Sequence, residues 1–110
     1  MRIAIPVTAD GLVDPRFGKT PIIAVAAVTD GEITDWTTYD VAWDVSHDSG
    51  TEGAHHARIV RFMREHEITH VVCMGMGQRM QRTLGKMGIV RMSALMQNAR
   101  QAVEFAIKTL

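Results

Sequence analysis

The run from Pro21 to Tyr39, "PIIAVAAVTDGEITDWTTY", decides the fold. Its two arms, "PIIAVAAV" and "EITDWTTY", flank Asp30-Gly31, a dipeptide that tolerates positive φ and suits a two-residue hairpin turn. The first arm is nearly all apolar, which predicts a strand buried on both faces. The second alternates, with Ile33, Asp35 and Thr37 opposite Thr34, Trp36 and Thr38, which predicts an edge strand. An antiparallel pair should therefore form one side of a sheet.

Before the hairpin, "RIAIPV" (Arg2 to Val7) reads as a strand, although Pro6 cannot donate to a ladder and suits a strand's end better than its middle. The thirteen-residue loop "TADGLVDPRFGKT" follows, longer than a usual connector and so a candidate functional loop. After the hairpin, "DVAWDVSHDSG" has no clear period and reads as loop. Ser49 and Glu52 have capping-box spacing, and an amphipathic helix is expected over about residues 51–66. Its inward side carries Ile59, Val60, Phe62 and Met63, its outward side Arg58, Arg61, Arg64 and Glu65. "THVVCMG" reads as a short buried strand feeding a helix from about Gln78 to Lys86, with Met80, Leu84 and Met87 inward and Gly88 as terminator. "IVRM" gives another strand, and "NARQAVEFAIKTL" a last helix burying Ala99, Ala102, Val103, Ala106 and Leu110. The order β-β-β-α-β-α-β-α implies an α/β domain whose later strands pair in parallel through right-handed crossovers.

At 110 residues, 46% apolar and 22% charged, the chain reads as a single domain over residues 1–110. No apolar run reaches the ~18 to 20 residues needed to span a bilayer, and no small-residue cleavage site follows the N-terminus, so the expected location is cytoplasmic, without a membrane partner. The single cysteine excludes an intramolecular disulfide and a CxxC motif. The net charge of zero divides unevenly: residues 1–50 carry 3 basic and 8 acidic side chains, residues 51–110 carry 9 basic and 4 acidic. That asymmetry fits complementarity within the domain or between copies, or an anion bound to the basic half. Zero net charge and 5% aromatic residues argue against a nucleic-acid partner.

Ligands of open α/β sheets bind beyond the carboxyl ends of parallel strands, where helix N-termini present free N–H groups. That rule selects the loop after Val7, the turn Met74 to Arg79 and the link Met92 to Gln97. Gly75 and Gly77 do not complete a dinucleotide motif, since Met80 stands at the third glycine position. They allow close backbone approach to a ligand ahead of a helix suited to negative charge. Cys73 is either core packing or a thiolate ligand at the strand's end. Met74, Met76 and Met80 are soft donors or gap-fillers. Of His55 and His56, helical phase places His56 amid the apolar stripe and makes it the better candidate ligand; His47 on the preceding loop could join it. Arg79, beside the rim, could meet an anion, and Arg16 and Lys19 could add positive charge.

In order and spacing, "MRIAIPV", "RFGKTP", "EGAHHARIV", "HVVCMGMG" and "LGKMGIVRM" resemble the dinitrogenase iron-molybdenum cofactor biosynthesis family over nearly the whole chain. That family includes small carriers of nitrogenase cofactor precursors and the orange protein, which holds a molybdenum–copper sulfide cluster. The resemblance implies a three-layer α/β/α ribonuclease-H-like motif with a mixed five-stranded sheet of order 3-2-1-4-5, strand 2 antiparallel, and Pro6 in a central strand. Taken together with the rim residues above, the expected cofactor-binding set is Arg16, Phe17, Gly18, Gly75, Gly77 and Arg79, with His55, His56, His47 and Cys73 as metal ligands. The cofactor would be an iron–sulfur, iron–molybdenum or molybdenum–copper sulfide cluster. Where the family usually has histidine before Phe-Gly, this chain has Arg16, which cannot replace imidazole as a ligand but can bind an anionic cluster by charge and hydrogen bonds. Cys73 matches a cysteine of some nitrogenase-associated members.

The expected function is a non-catalytic carrier for an anionic metal–sulfur cluster or cofactor precursor. The alternative is a metal-free regulatory or interaction domain of the same fold, a homodimer or partner-protein binder whose contact surface Trp36 or Trp43 would mark. A magnesium-dependent phosphodiesterase would need carboxylates on the central strands, and Ile3 to Val7 has none.

Overall fold

The computed structural model describes residues 1–48 and 50–110, the side chains of residues 47 and 48 excepted. Its elements are β1 (Arg2–Val7), a 3-10 turn (Phe17–Lys19), β2 (Ile22–Thr29), β3 (Glu32–Asp40), α1 (Trp43–Asp48), α2 (Glu52–Glu65), β4 (His70–Cys73), α3 (Gln78–Lys86), β5 (Val90–Ser93) and α4 (Ala99–Lys108). The hairpin forms as expected: β2 and β3 pair antiparallel, joined by Asp30 and Gly31 at φ 53° and 78°. Positive φ at both turn residues matches the right-handed twist of the flanking strands. The five strands lie in the order β3-β2-β1-β4-β5, with β4 parallel to both β1 and β5 and β2 antiparallel to its neighbours.

Alternation along the central strands sends side chains to two cores. Ala4, Ile23, Val25, Val71 and Cys73 face α1, α2 and α3 with Trp43, Ile59, Phe62, Met63 and Leu84. Ile3, Ile5, Ala24, Ala26 and Val72 face α4 with Ala99, Ala102, Val103 and Ala106. The result is three layers, α/β/α.

Pro6 occupies the central strand β1, paired with Ile23 of β2. Arg2 donates to Thr69 Oγ1 on the β4 side, and alternation puts the Pro6 nitrogen on that same side. The β1–β4 ladder ends at Ala4 with Val71, so no bond is lost where the N–H is missing. The Pro6 carbonyl accepts instead from the Asp14 N–H at 2.9 Å.

Four expectations need correction. The stretch after Tyr39 is not all loop: Trp43–Asp48 forms a helix too short to show a period, held by Trp43, which packs edge-on against Phe17 and Phe62 with centroids 6.0 and 5.7 Å apart. Trp43 is consequently buried and offers no contact surface, while Trp36 is half-buried, with Arg100 5.8 Å from its ring centre. Helix α2 is capped by Thr51, whose Oγ1 accepts from the Ala54 N–H at 3.1 Å, and Ser49 lies outside the described residues. Leu110 follows the last helix and is exposed.

Candidate functional site

The loops that follow β1 and β4 diverge at the carboxyl end of this parallel pair and, with the start of α2, enclose an open cavity of 760 Å³. The loop after β1 contributes Arg16, Phe17, Gly18 and Lys19, α2 contributes Glu52, His55, His56 and Ile59, and the segment after β4 contributes Gly75 through Met80. All six residues expected to bind a cofactor, Arg16, Phe17, Gly18, Gly75, Gly77 and Arg79, therefore line one space.

The loop is held by three buried anchors. Asp14 is 3% exposed and takes Arg16 twice over: its Oδ1 accepts from the Arg16 backbone N–H at 2.9 Å, and its two oxygens accept from Nε and Nη2 at 3.3 Å. The first bond is an Asx turn, the local geometry aspartate favours. Hydrogen bonding and charge from Asp14 raise the Arg16 pKa further, so the cation is permanent. Phe17 is 3% exposed against Trp43, which makes it a packing anchor at the cavity floor. The third anchor is His55.

His55 corrects the helical phase read from the sequence. The buried face of α2 is His55, Ile59, Phe62 and Met63, so His55 points inward and His56 sits half-buried at the cavity wall. His55 Nε2 lies 2.6 Å from the Gly18 carbonyl and Nδ1 lies 3.4 Å from Ser46 Oγ. A carbonyl only accepts, so Nε2 carries the proton and Nδ1 faces the hydroxyl. His55 thus fastens the Phe17–Lys19 turn to α2 and is committed to that role before any metal.

His56 has the chemistry of an available donor. Partial burial and then the nearby Arg79 charge lower its pKa below the usual 6.5, opposed by Glu52, so the imidazole is neutral at pH 7. Arg79, in the first turn of α3, reaches Glu52 at the start of α2 with Nη1 3.3 Å from Oε1. Gly77 is the N-cap of α3 and brings no side-chain cap. The Gln81 amide holds the turn by donating to the Met76 carbonyl at 2.7 Å. A Cβ on Gly18, Gly75 or Gly77 would meet nothing within 4 Å, and none of the three has positive φ. Neither backbone strain nor internal packing demands glycine there; what glycine leaves is room.

Cys73 does not join the site. Its side chain is fully buried in the α2/α3-side core and does not line the cavity. Burial raises the thiol pKa, with the Arg91 guanidinium acting in the opposite sense. A ligand must be a thiolate with access to the metal, and Cys73 is neither. The prediction is that Cys73→Ala leaves anion binding unchanged, and that iodoacetamide labels the native thiol only as fast as the protein unfolds, measured by mass spectrometry. The side chain of His47, the remaining expected ligand, lies outside the described residues. Among the described residues, no group of three His, Cys, Asp or Glu is arranged to hold a metal ion. Of the methionines, Met76 and Met80 line the cavity and Met74 does not.

The donor set therefore fits an anionic cluster better than a bare cation: three cations, Arg16, Lys19 and Arg79, stand against one carboxylate, Glu52, beside a neutral imidazole and two thioethers. Sequence reasoning missed Asp14 as the partner of Arg16 and Glu52 as a cavity residue. The spacing Asp14-Pro15-Arg16 carried a local signal for the first; the second arises only when α2 and α3 meet.

A family model described as "Dinitrogenase iron-molybdenum cofactor" matches residues 1–109. Among solved structures, the apo form of the orange protein from Desulfovibrio gigas is similar, with TM-score 0.78 at 21% identity over 98% of this chain and 88% of that one. PH0822 gives TM-score 0.79 at 18% identity over 99% and 90% of the two chains. A protein of Methanocaldococcus jannaschii gives 0.72 at 13% over 99% and 89%. At these identities the likeness establishes the fold. A search of curated proteins returns no match.

Proposed function

Because the chain belongs to the dinitrogenase iron-molybdenum cofactor family, we propose that it is a non-catalytic carrier of an anionic metal–sulfur cluster or cofactor precursor. The cargo sits in the cavity at the carboxyl ends of β1 and β4. One observation carries this reading: the cavity gathers Arg16, Lys19 and Arg79 around a glycine-lined turn at the start of α3. Guanidinium groups and first-turn N–H groups are donors suited to sulfide or oxide ligands on a metal, and they need no metal–protein bond. His56, neutral at pH 7, is the side chain that could add one coordinate bond; Met76 and Met80 offer soft, weak contacts. Cys73 and His55 have no part in holding the cargo.

The alternative, a metal-free interaction domain, draws support from the lack of a three-ligand group among the described residues. Anaerobic equilibrium dialysis against tetrathiomolybdate separates the two. The carrier retains one anion per chain, with binding weakened by added salt as charge pairing requires. Retention no greater than that of an unrelated protein of equal charge would leave the interaction domain as the reading.

A further inference from the structure

Resting on the carrier reading, we propose that Glu52 is a built-in competitor anion, a carboxylate that occupies Arg79 while the cavity is empty and must leave it when cargo binds. The two arginines of the cavity each hold a carboxylate, and the two pairs differ in kind. Asp14 is buried, two residues from Arg16, and also accepts the Arg16 backbone N–H, so it cannot depart without unmaking the loop. Glu52 and Arg79 come from different helices, touch at a single 3.3 Å contact, and have side chains 70% and 62% exposed. Water replaces such a contact at little cost, so this pair can open within the folded protein.

Position makes the pair functional rather than incidental. Both residues line the cavity, and their bond spans its wall from the first turn of α2 to the first turn of α3. Glu52 is the one carboxylate among the lining residues. An incoming anion therefore meets Arg79 already neutralised and must displace Glu52 to gain its donors. Asp14 fixes one arginine in place, while Glu52 sets how strongly the other can hold and how readily it lets go. A carboxylate competing for the same guanidinium lowers affinity and speeds release, which suits a carrier that passes its cargo on.

The test compares the full chain with Glu52→Gln and Glu65→Gln under anaerobic titration with tetrathiomolybdate. Glu65 is exposed at the far end of α2 and does not line the cavity, so it controls for net charge. Glu52→Gln should bind about two- to five-fold more tightly than the parent, the range an exposed pair allows, and should release the anion more slowly. Glu65→Gln should match the parent. A parent that binds while Glu52→Gln binds no more tightly overturns the competitor and leaves the carrier standing. No binding by either protein overturns both.

Discussion

Arg16→Ala/Arg79→Ala should bind tetrathiomolybdate about 100-fold more weakly than the parent. The magnitude follows from exposure: the two side chains are 57% and 62% exposed, so each charged hydrogen bond is worth the low end of its range, about 1.4 kcal/mol or tenfold. The groups come from the loop after β1 and from the first turn of α3, and the 100-fold figure is the product of the two losses taken separately; coupling through the shared anion is read from the two single variants. Lys19 and the start of α3 remain and preserve a weak, salt-sensitive residue of binding. Isothermal titration at two salt concentrations measures both quantities. A double variant that binds as tightly as the parent would move the cargo out of this cavity. Circular dichroism checks that the fold is kept, since Arg16→Ala leaves the buried Asp14 carboxylate with only the backbone N–H of residue 16 among its Arg16 bonds.

Phe17→Ala should be the most destabilising single change near the site. The ring is 3% exposed, packs against Trp43 and joins the same cluster as Ile59 and Phe62, so truncation removes apolar burial and leaves a cavity. Such changes cost about 3 to 5 kcal/mol, a large share of the ~5 to 15 kcal/mol that holds a domain together. At about 4 °C or more per kcal/mol the melting temperature should fall by roughly 12 °C or more. Because the Phe17–Lys19 turn carries Arg16 at its mouth, anion binding should weaken as well, at temperatures where the protein is still folded. Phe17→Leu, which keeps most of the apolar volume, should recover most of both losses. A Phe17→Ala protein with unchanged melting would mean that the ring is not a structural anchor.

The sheet was legible where local rules and global pattern agree. Asp30-Gly31 between an apolar and an alternating run specified the hairpin and its edge, and the later strand–helix alternation specified the crossovers. Helix α3 falls on Gln78–Lys86, with Gly88 beyond it at φ 78°, as the spacing of Met80 and Leu84 indicated. Legibility failed where partners are distant in the chain. Helix α1 has too few residues for a period, and what stabilises it is Trp43 packed edge-on between Phe17 and Phe62, a tertiary fact.

The phase of helix α2 was misread for a related reason, although His56, the histidine preferred as a ligand, does line the cavity. Counting Val60 in the apolar stripe with Ile59 and Met63 rotated the wheel toward His56, whereas the buried face runs through His55, which lies 2.6 Å from the Gly18 carbonyl. Cys73 shows the limit of rim reasoning. A strand's last residue is at the rim by number, but alternation turned this side chain into the core under α2 and α3. The arginines and glycines were found because the rule for parallel strands concerns backbone position, which a side chain's direction does not alter.

The proposed cargo site lies among Arg16, Arg79 and the glycine turn, away from the Cys73 thiol. An anomalous-difference map at the molybdenum edge, from crystals grown anaerobically with tetrathiomolybdate, measures that directly. The predicted result is one peak in the 760 Å³ cavity, within hydrogen-bonding reach of both guanidinium groups. A peak at Cys73, or none in the cavity at saturating anion, would contradict it.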